Sequence, residues 1–396
     1  MEIKTISEFY EAVCDKSGTK INPDVLEVLQ KTPATGNLTL KLAGNIRLRR
    51  VQRLSDDDVL ILCKCLQNNQ HVTGLDLRYN NIGDDGAGHL AELLQQNSAL
   101  RSLDLMFNDI ETDGAKALTK SSLLSLRLSG NKLGNRAAMD LVSMLQVNNT
   151  LQELQLDDCD LATQSVIALS IVLKSNKVLR CLDISRPLLF SLQEDWVIHF
   201  SEMLAVNGSL LELHLGKMEM TDSGMERLTE GLKLNQSLCY LDLRCNRVTR
   251  DGVRRLAEVL KKNSALEVIN LSANRIEDEG AAYLSDAIAS PGCILKELSV
   301  SSNNIRTDGL LSLVQAMKTN STLTHIYIWG NHLEEPAFRE LISSSRLPPE
   351  QTDVSAYEVD GRVFLAQVSN SLRKRWFRCD GTNTSSDTNA APRPDS

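Results

Sequence analysis

One pattern, L-x-x-L-x-L-x-x-N-x-I with a glycine a few residues later, recurs along most of the chain and governs what it can fold into. A regular copy is Val72, Leu75, Leu77, Asn80, Ile82, Gly86, and another is Leu266, Ile269, Leu271, Asn274, Ile276, Gly280. The first positions of the ten copies are Val72, Leu100, Leu123, Leu151, Leu179, Leu210, Leu238, Leu266, Leu295 and Leu323. The steps between them are 28, 23, 28, 28, 31, 28, 28, 29 and 28 residues. A degenerate copy, Leu40-x-Leu42-x-x-Asn45, precedes them. A unit this short cannot bury its own apolar face, so the units must stack.

Each position of the unit has a physical role. L-x-L alternates with period two, as a strand does, and turns the x residues to the opposite, solvent face. The stretches after the glycine carry leucine at helical spacing, as in Leu90, Leu93, Leu94 or Leu256, Val259, Leu260. The expected fold is therefore an α/β solenoid, with parallel strands on its concave face and helices on its convex face. The asparagine is expected to bond backbone groups of adjacent turns that would otherwise be buried unpaired. Cys159 can act there as a weak donor, whereas Pro187 and Met218 cannot replace the amide, so the ladder should break at them. Asp84, Thr112, Asp222, Asp278 and Thr307 stand two residues before the repeat glycine. They read as caps of their own helices, worth about 1 kcal/mol each. The glycines are single and periodic, which suits close helix packing and not a phosphate-binding loop. Asn-x-Ser/Thr triplets at Asn148, Asn207, Asn235 and Asn320 also share one repeat position, which marks a polar turn in place of glycosylation sites.

The pattern fails in four places. Residues 1–36 lack it, and Ile6–Val13 and Val25–Leu29 read as short amphipathic helices that cover the first repeat. Residues 46–55 insert Arg47, Arg49, Arg50 and Arg53, a solvated loop or a partner contact. The 23-residue step removes much of one helix between Leu118 and Leu123, and the 31-residue step adds Pro187–Trp196, so 185–225 forms an irregular middle. After Leu341 the repeats, assigned to 37–345, end at Leu347-Pro348-Pro349. In 346–378, Tyr357–Val368 reads as a hairpin around Asp360-Gly361, followed by the basic, aromatic run Arg373, Lys374, Arg375, Trp376, Phe377. That run also has the composition of a nuclear-localisation patch. Residues 379–396 are polar and read as a disordered tail.

Composition narrows the function. Aromatics make up only 4 % of the 396 residues, so leucine must carry the core. The net charge of −8 disfavours nonspecific nucleic-acid binding and points to basic protein partners. No run of about 18 apolar residues is present to span a membrane. Met1–Cys14 is interrupted by Glu2, Lys4, Glu8 and Glu11, so no secretory signal is expected. Nine scattered cysteines, an odd number, then suggest reduced thiols inside a cell. The six histidines lack metal-ligand spacing, Cys63-Lys-Cys65 lies within a repeat helix, and no nucleotide-binding loop occurs. No catalytic residue, metal or cofactor is expected.

The candidate binding residues are the x positions of the strands. One track reads Asp76, Asp104, Arg127, Gln155, Asp183, His214, Asp242, Asn270, Ser299 and Tyr327. Neighbouring tracks add Arg78, Met106, Phe107, Glu153, Asp157, Asp158, Glu212, Tyr240, Arg244, Glu297, His325 and Trp329. Four aspartates in one track predict an acidic face, and Tyr240, Tyr327 and Trp329 predict exposed aromatic anchors toward its C-terminal end. The partner-binding set is thus Asp76, Arg78, Asp104, Phe107, Arg127, Asp157, Asp183, His214, Tyr240, Asp242, Arg244, Tyr327 and Trp329.

Over about residues 38–345 the repeat resembles the ribonuclease-inhibitor-like leucine-rich-repeat family. The resemblance implies a horseshoe that binds other macromolecules. Ribonuclease inhibitor holds a basic enzyme in an acidic concavity, and the Ran GTPase-activating protein assists a GTPase with the same fold. The latter's functional residues find no match here. Thr352-Asp-Val354, Val359-Asp-Gly-Arg-Val363, Leu365-Ala-Gln-Val-Ser-Asn370 and Tyr327-Ile-Trp-Gly-Asn331 resemble a narrower vertebrate branch of leucine-rich-repeat proteins. That branch implies a nuclear, nucleolar and cytoplasmic setting and a part in stem-cell maintenance and differentiation. The expectation is a non-catalytic, monomeric interaction scaffold. Its alternatives are a GTPase regulator and a structural component of a large assembly such as the ciliary axoneme.

Overall fold

A strand takes about 4.8 Å of sheet width, whereas a helix needs about 10 Å. Stacking one of each per repeat forces the thinner strand layer to the inside of a curve. The structure, a computed structural model, describes residues 5–33, 36–46, 49–189, 194–334, 349–360, 362–368 and 372. Arg47, part of the 31-residue step at 190–193, the end of the repeats around Leu341 and Leu347, and the basic run and tail from 373 lie outside them.

Eleven parallel strands follow one another across a single sheet in chain order. They are β1 (Leu38–Lys41), β2 (Val72–Asp76), β3 (Ser102–Asp104), β4 (Ser125–Arg127), β5 (Glu153–Gln155) and β6 (Cys181–Asp183). Then come β7 (Glu212–His214), β8 (Tyr240–Asp242), β9 (Val268–Asn270), β10 (Glu297–Ser299) and β11 (His325–Tyr327). Helices α1 (Ile6–Ser17) and α2 (Pro23–Lys31) precede the sheet. One helix follows each of the first ten strands: α3 (Asp56–Leu66), α4 (Asp84–Gln96), α5 (Thr112–Leu118), α6 (Gly134–Val147) and α7 (Thr163–Leu173). The series continues with α8 (Asp195–Val206), α9 (Asp222–Leu234), α10 (Arg250–Leu260), α11 (Glu277–Ala289) and α12 (Thr307–Thr319). The solenoid is thus the expected one. The 23-residue step leaves α5 with 7 residues, against 14 in α6. Beyond β11, an antiparallel hairpin pairs β12 (Val354–Val359) with β13 (Arg362–Gln367).

The repeat leucines form one continuous core between the strand and helix layers. The irregular middle does not interrupt the sheet: β6 and β7 pair in the common register, Cys181 beside Glu212 and Asp183 beside His214. Trp196 and Phe200, in edge-to-face contact at 5.9 Å, fill the enlarged repeat. The N-terminal helices bury Tyr10, Cys14, Val25 and Leu29 in the same core. Arg49 pairs with Glu27 of α2 at 2.6 Å and with Asp24, fastening part of the basic insert to α2.

Side chains tie each repeat to the next. Asn274 Nδ2 donates to Leu243 O and Leu271 O at 3.0 Å, and its Oδ1 accepts from Val248 N at 3.2 Å. Asn80, Asn108, Asn131, Asn246 and Asn331 make equivalent bonds to their own and the preceding repeat. Cys159 acts as the expected weak donor, to Leu128 O at 3.1 Å. After the interrupting Met218 the ladder resumes at Asn246, whose Oδ1 accepts from Met218 N and Met220 N as Asn331 accepts from Asn303 N and Ile305 N. A second asparagine series follows the helices. Asn207 Nδ2 donates to Leu173 O and Asn176 O, and its Oδ1 accepts from Ser209 N and Leu210 N. At 3 % exposure Asn207 is part of the interior, as the polar-turn reading of its triplet requires.

The helix caps differ from expectation. Asp84, Thr112, Asp222, Asp278 and Thr307 lie inside their helices, and the preceding positions do the capping geometry. The aspartates reach instead to the following repeat. Asp222 Oδ1 accepts from Thr249 N at 2.7 Å and Gly252 N at 3.0 Å, and Asp278 Oδ1 accepts from Arg306 N at 2.7 Å and Gly309 N at 3.2 Å. An offset of one residue at Asp222 and two at Asp278 in the helix start hands each carboxylate to its neighbour. It also explains the glycine: a Cβ on Gly252 would stand 2.5 Å from Asp222 Oδ1.

Asn274→Ala leaves the buried amide of Val248 without its acceptor and removes one of the two asparagine donors of Leu243 O and of Leu271 O, which predicts a loss of about 1–3 kcal/mol. Asn274→Cys should lose less, since Cys159 already donates at that position. Urea unfolding of the two variants measures this, and equal losses would contradict the assigned role.

Candidate functional site

Parallel in-register pairing sets the x residues of adjacent strands side by side. Asp76 lies beside Asp104, Asp104 beside Arg127, Gln155 beside Asp183, and Asp183 beside His214, which neighbours Asp242. At a spacing of about 4.8 Å, like charges in such a track repel strongly unless compensated.

Most of the expected acidic face is compensated from within. Arg78 donates to both oxygens of Asp76 at 2.8 Å and lies 3.6 Å from Asp104. Arg127 pairs with Asp104 at 3.4 Å and with Glu153 at 3.0 and 3.1 Å. Glu153, fully buried, also accepts from Ser125 Oγ at 2.6 Å and Gln155 Nε2 at 2.9 Å. The charges of β2 to β5 thus form an alternating row.

A second group centres on His214. Its Nε2 faces Glu212 Oε1 at 2.6 Å and its Nδ1 faces Asp242 Oδ2 at 3.2 Å, while Arg244 Nε lies 3.4 Å from the same Asp242 oxygen. Burial opposes charging the imidazole, but Asp183, Asp242 and Glu212 outweigh it and hold its pKa well above the ordinary value. Asp242, although buried, is brought below the usual carboxylate range by His214 and Arg244. Cys181, Glu212 and His214 offer donor atoms within 4.8 Å of one another, the composition of a divalent-metal site. A metal there would have to displace two protons. Both imidazole nitrogens face carboxylates, and burial followed by the Glu212 charge pushes the Cys181 thiol up to about 12. Burial likewise pushes Cys63 and Cys65 up to about 12, so both are neutral thiols in the core.

Between these groups lie two carboxylates on which His214 and Arg244 act only at longer range. Asp183 accepts from Ser185 N at 2.9 Å, and Asp157 accepts from Ser129 Oγ. Neither makes an ion pair among the described residues. Burial, and then the charge of Asp183, push Asp157 up to about 7. These two carboxylates lie near the middle of the strand series, on β6 and just after β5.

The aromatic anchors are placed differently from expectation. Tyr240 and Tyr327 are 2 % and 4 % exposed, and with Val268 and Leu372 they form a small cluster separate from the main core. Tyr240 also lies 5.0 Å from the His214 ring. Trp329 packs partly buried against the main core. Phe107 stacks on Tyr79 with centroids 4.8 Å apart and planes at 9°. Both occupy the position just before the ladder asparagine, where the backbone is left-handed, with φ of 53° and 59°. Sequence reasoning noted Glu153 and Glu212 only as neighbours and passed over Cys181. Their position at the start of each strand, two residues before the aspartate track, is the signal that groups them. Leu372 lies beyond the repeat and carries no such signal.

A family model described as Leucine Rich repeat matches residues 68–91, 96–118, 119–142, 147–170, 234–257, 262–285 and 293–314. Leucine-rich repeat-containing protein 34 of Mus musculus is 44 % identical over 382 residues, covering 93 % of this chain and 92 % of the mouse protein. Ribonuclease inhibitor of Mus musculus is 44 % identical over 70 residues, 17 % of this chain and 15 % of that protein. A solved internalin from Listeria monocytogenes covers 89 % of this chain and 95 % of its own at 18 % identity, with a TM-score of 0.44.

Two variants separate the charge groups. His214→Ala leaves Glu212 and Asp242 buried without their shared cation, which predicts destabilisation by about 3–5 kcal/mol. Asp157→Asn has the opposite sign. A carboxyl held at about 7 in the fold stays protonated while the unfolded chain ionises, so it costs stability progressively as pH rises from about 4 to about 7. The gain in Tm from Asp157→Asn should therefore be near zero at acid pH and largest above neutrality. Calorimetry across that range checks it, and a pH-independent gain would contradict the assignment.

Proposed function

The chain belongs to the family of leucine-rich repeat-containing protein 34, and on that premise we propose that it is a non-catalytic interaction scaffold whose concave face receives a basic segment of a partner protein. The observation that carries this reading is the Asp157–Asp183 pair. Both carboxylates face the strand side of the solenoid, partly or largely buried, and neither makes an ion pair among the described residues, although the His214 and Arg244 charges act on them from the neighbouring strands. A guanidinium or ammonium entering between them turns a repulsive pair into charge-assisted hydrogen bonds. The net charge of −8 favours the encounter with a basic partner.

The wider candidate set takes graded roles in this reading. Asp76, Arg78, Asp104 and Arg127 form one alternating wall of the binding surface, and His214, Asp242 and Arg244 form the other. Phe107 offers an aromatic rim. Tyr240, Tyr327 and Trp329 border the C-terminal side. The resemblance of the segment from Thr352 to Asn370 supports placing the protein in the nucleus, nucleolus and cytoplasm, in the maintenance and differentiation of stem cells, with basic nuclear proteins as partners.

The test uses Asp157→Asn with Asp183→Asn. Asp104 and Asp242 are unsuited because each already holds a cation of the fold. Proximity labelling in a native cell type identifies partners, and titration of the purified protein with them measures affinity. Removing both charges should weaken binding by about tenfold or more, while Tm stays equal or rises. Unchanged affinity for every basic partner would overturn the proposal.

A further inference from the structure

The 23-residue step between Leu100 and Leu123 leaves a gap in the helix layer. α5 ends at Leu118 after 7 residues, whereas α6 runs for 14. The missing length is about 10 Å at 1.5 Å per residue. In a regular pair the later helix closes on the earlier one at this level: a Cβ on Gly231 of α9 would stand 2.2 Å from Ser201 O of α8. Met144 holds the corresponding place in α6, since Gly231 O accepts from Asn235 N and Met144 O from Asn148 N. Here a cleft of about 550 Å³ opens instead, between the Thr119–Ser122 connection and Asp140, Met144 and Val147.

The walls of this cleft lack partners. Asp140 Oδ2 is buried with no hydrogen-bond partner among the described residues. A carboxylate oxygen left so is costly and marks the place of an absent donor. Rotation about the Cβ–Cγ bond, which is soft in aspartate, turns either oxygen toward the cleft. Among the described residues Asn148 donates to one carbonyl, Ser121 O at 3.4 Å, whereas Asn207 and Asn235 each donate to two carbonyls of the preceding repeat. Val147, on the rim, is 84 % exposed, more than any other large apolar side chain described.

We propose that the cleft receives the C-terminal turns of a helix from a partner protein, which take the place of the turns α5 lacks and set a Lys or Arg side chain against Asp140. Charge and shape select this occupant. Asp140 calls for an ammonium or guanidinium group. Lys116 and Lys120, on the α5 side of the cleft, suit the free carbonyls and negative dipole end of a helix C-terminus. Such an end commonly carries a basic side chain of its own, and an apolar residue one turn earlier covers Met144 and Val147. The site lies in the helix layer, across the leucine core from the strands, so it stands independently of the concave-face reading.

The probe is a labelled, helix-stapled peptide with the sequence of residues 254–263, a full-length helix end carrying Arg254, Arg255, Lys261 and Lys262. A second peptide has glutamate at those four positions, and a third, unstapled, carries Glu258→Pro and cannot form the helix. Each is titrated into the full chain, into Asp140→Asn, and into a chain lengthened by five residues after Thr119, which restores the 28-residue step and fills the cleft. Circular dichroism confirms that the proteins are folded, and Val147→Lys on the exposed rim replaces the lengthened chain if that one is not. The unaltered chain should bind the basic helix about tenfold or more tightly than either other peptide. Asp140→Asn should remove the preference for basic charge, and the lengthened chain, or Val147→Lys, should lose about tenfold or more in affinity. No binding to the unaltered chain, or equal binding of the basic and acidic helices, overturns the proposal. Equal binding of the proline peptide overturns the helical occupant. Binding that survives both Asp140→Asn and the filled cleft places the peptide elsewhere, the concave face included, and overturns the assigned site. Binding that weakens as the unaltered protein is concentrated puts a second copy in the cleft and overturns the foreign partner.

Discussion

Every turn of a parallel solenoid ends with backbone amides and carbonyls that its own residues cannot reach, and the next turn must satisfy them. This obligation organises the protein. A buried amide or carbonyl left unpaired costs about 1–3 kcal/mol, and with one strand, one helix and two connections per repeat the debt recurs some ten times. Three side-chain series meet it: the asparagines after the strands, the asparagines after the helices, and the carboxylates at the helix starts. Each bonds to an adjacent repeat, so cohesion is a nearest-neighbour property. A repeat can therefore lose its asparagine, as at Met218, while the next one, Asn246, keeps its own bonds to both repeats.

The same obligation explains the ends. After β11, among the described residues, no further repeat supplies acceptors. Asp353 takes their place: its carboxylate accepts from Ile328 N at 2.8 Å, from Trp329 N and from Ser301 Oγ, while Thr352 bridges to Ile326. Burial raises the Asp353 pKa. The segment that resembles a narrower branch of the family is thus the one that closes the sheet edge, which would otherwise be open to pairing with another chain. At the other end Asn22 caps α2, accepting from Asp24 N, and donates to Gln52 O.

What could be read from the residues follows from what period encodes. Strand and helix order, the leucine core, the ladder asparagines and the shortened α5 are all properties of spacing, and they were legible. The direction of a short side chain at a helix start is not, because a one-residue shift in where the helix begins transfers Asp222 from its own helix to the next. Nor does a track of aspartates reveal its counterions. Asp104 reads as free acidity until the register brings Arg127 to 3.4 Å. Tyr240 and Tyr327 read as exposed anchors because the residue that covers them, Leu372, is remote in sequence and belongs to no repeat.

Repetition itself makes the exceptions informative. Strands in register place equivalent residues in rows, so an unbroken acidic row would be a ladder of like charges, and the chain avoids it by interleaving Arg127 and His214. The balance fails around β5 and β6. There the third track runs Ser129, Asp157, Ser185 and Gly216, and the Arg244 side chain lies across Gly216 and acts on Asp183 and Asp157 without forming an ion pair with either. A fold that needed only solubility would gain nothing from holding one of these carboxyls partly buried against the repulsion of the other.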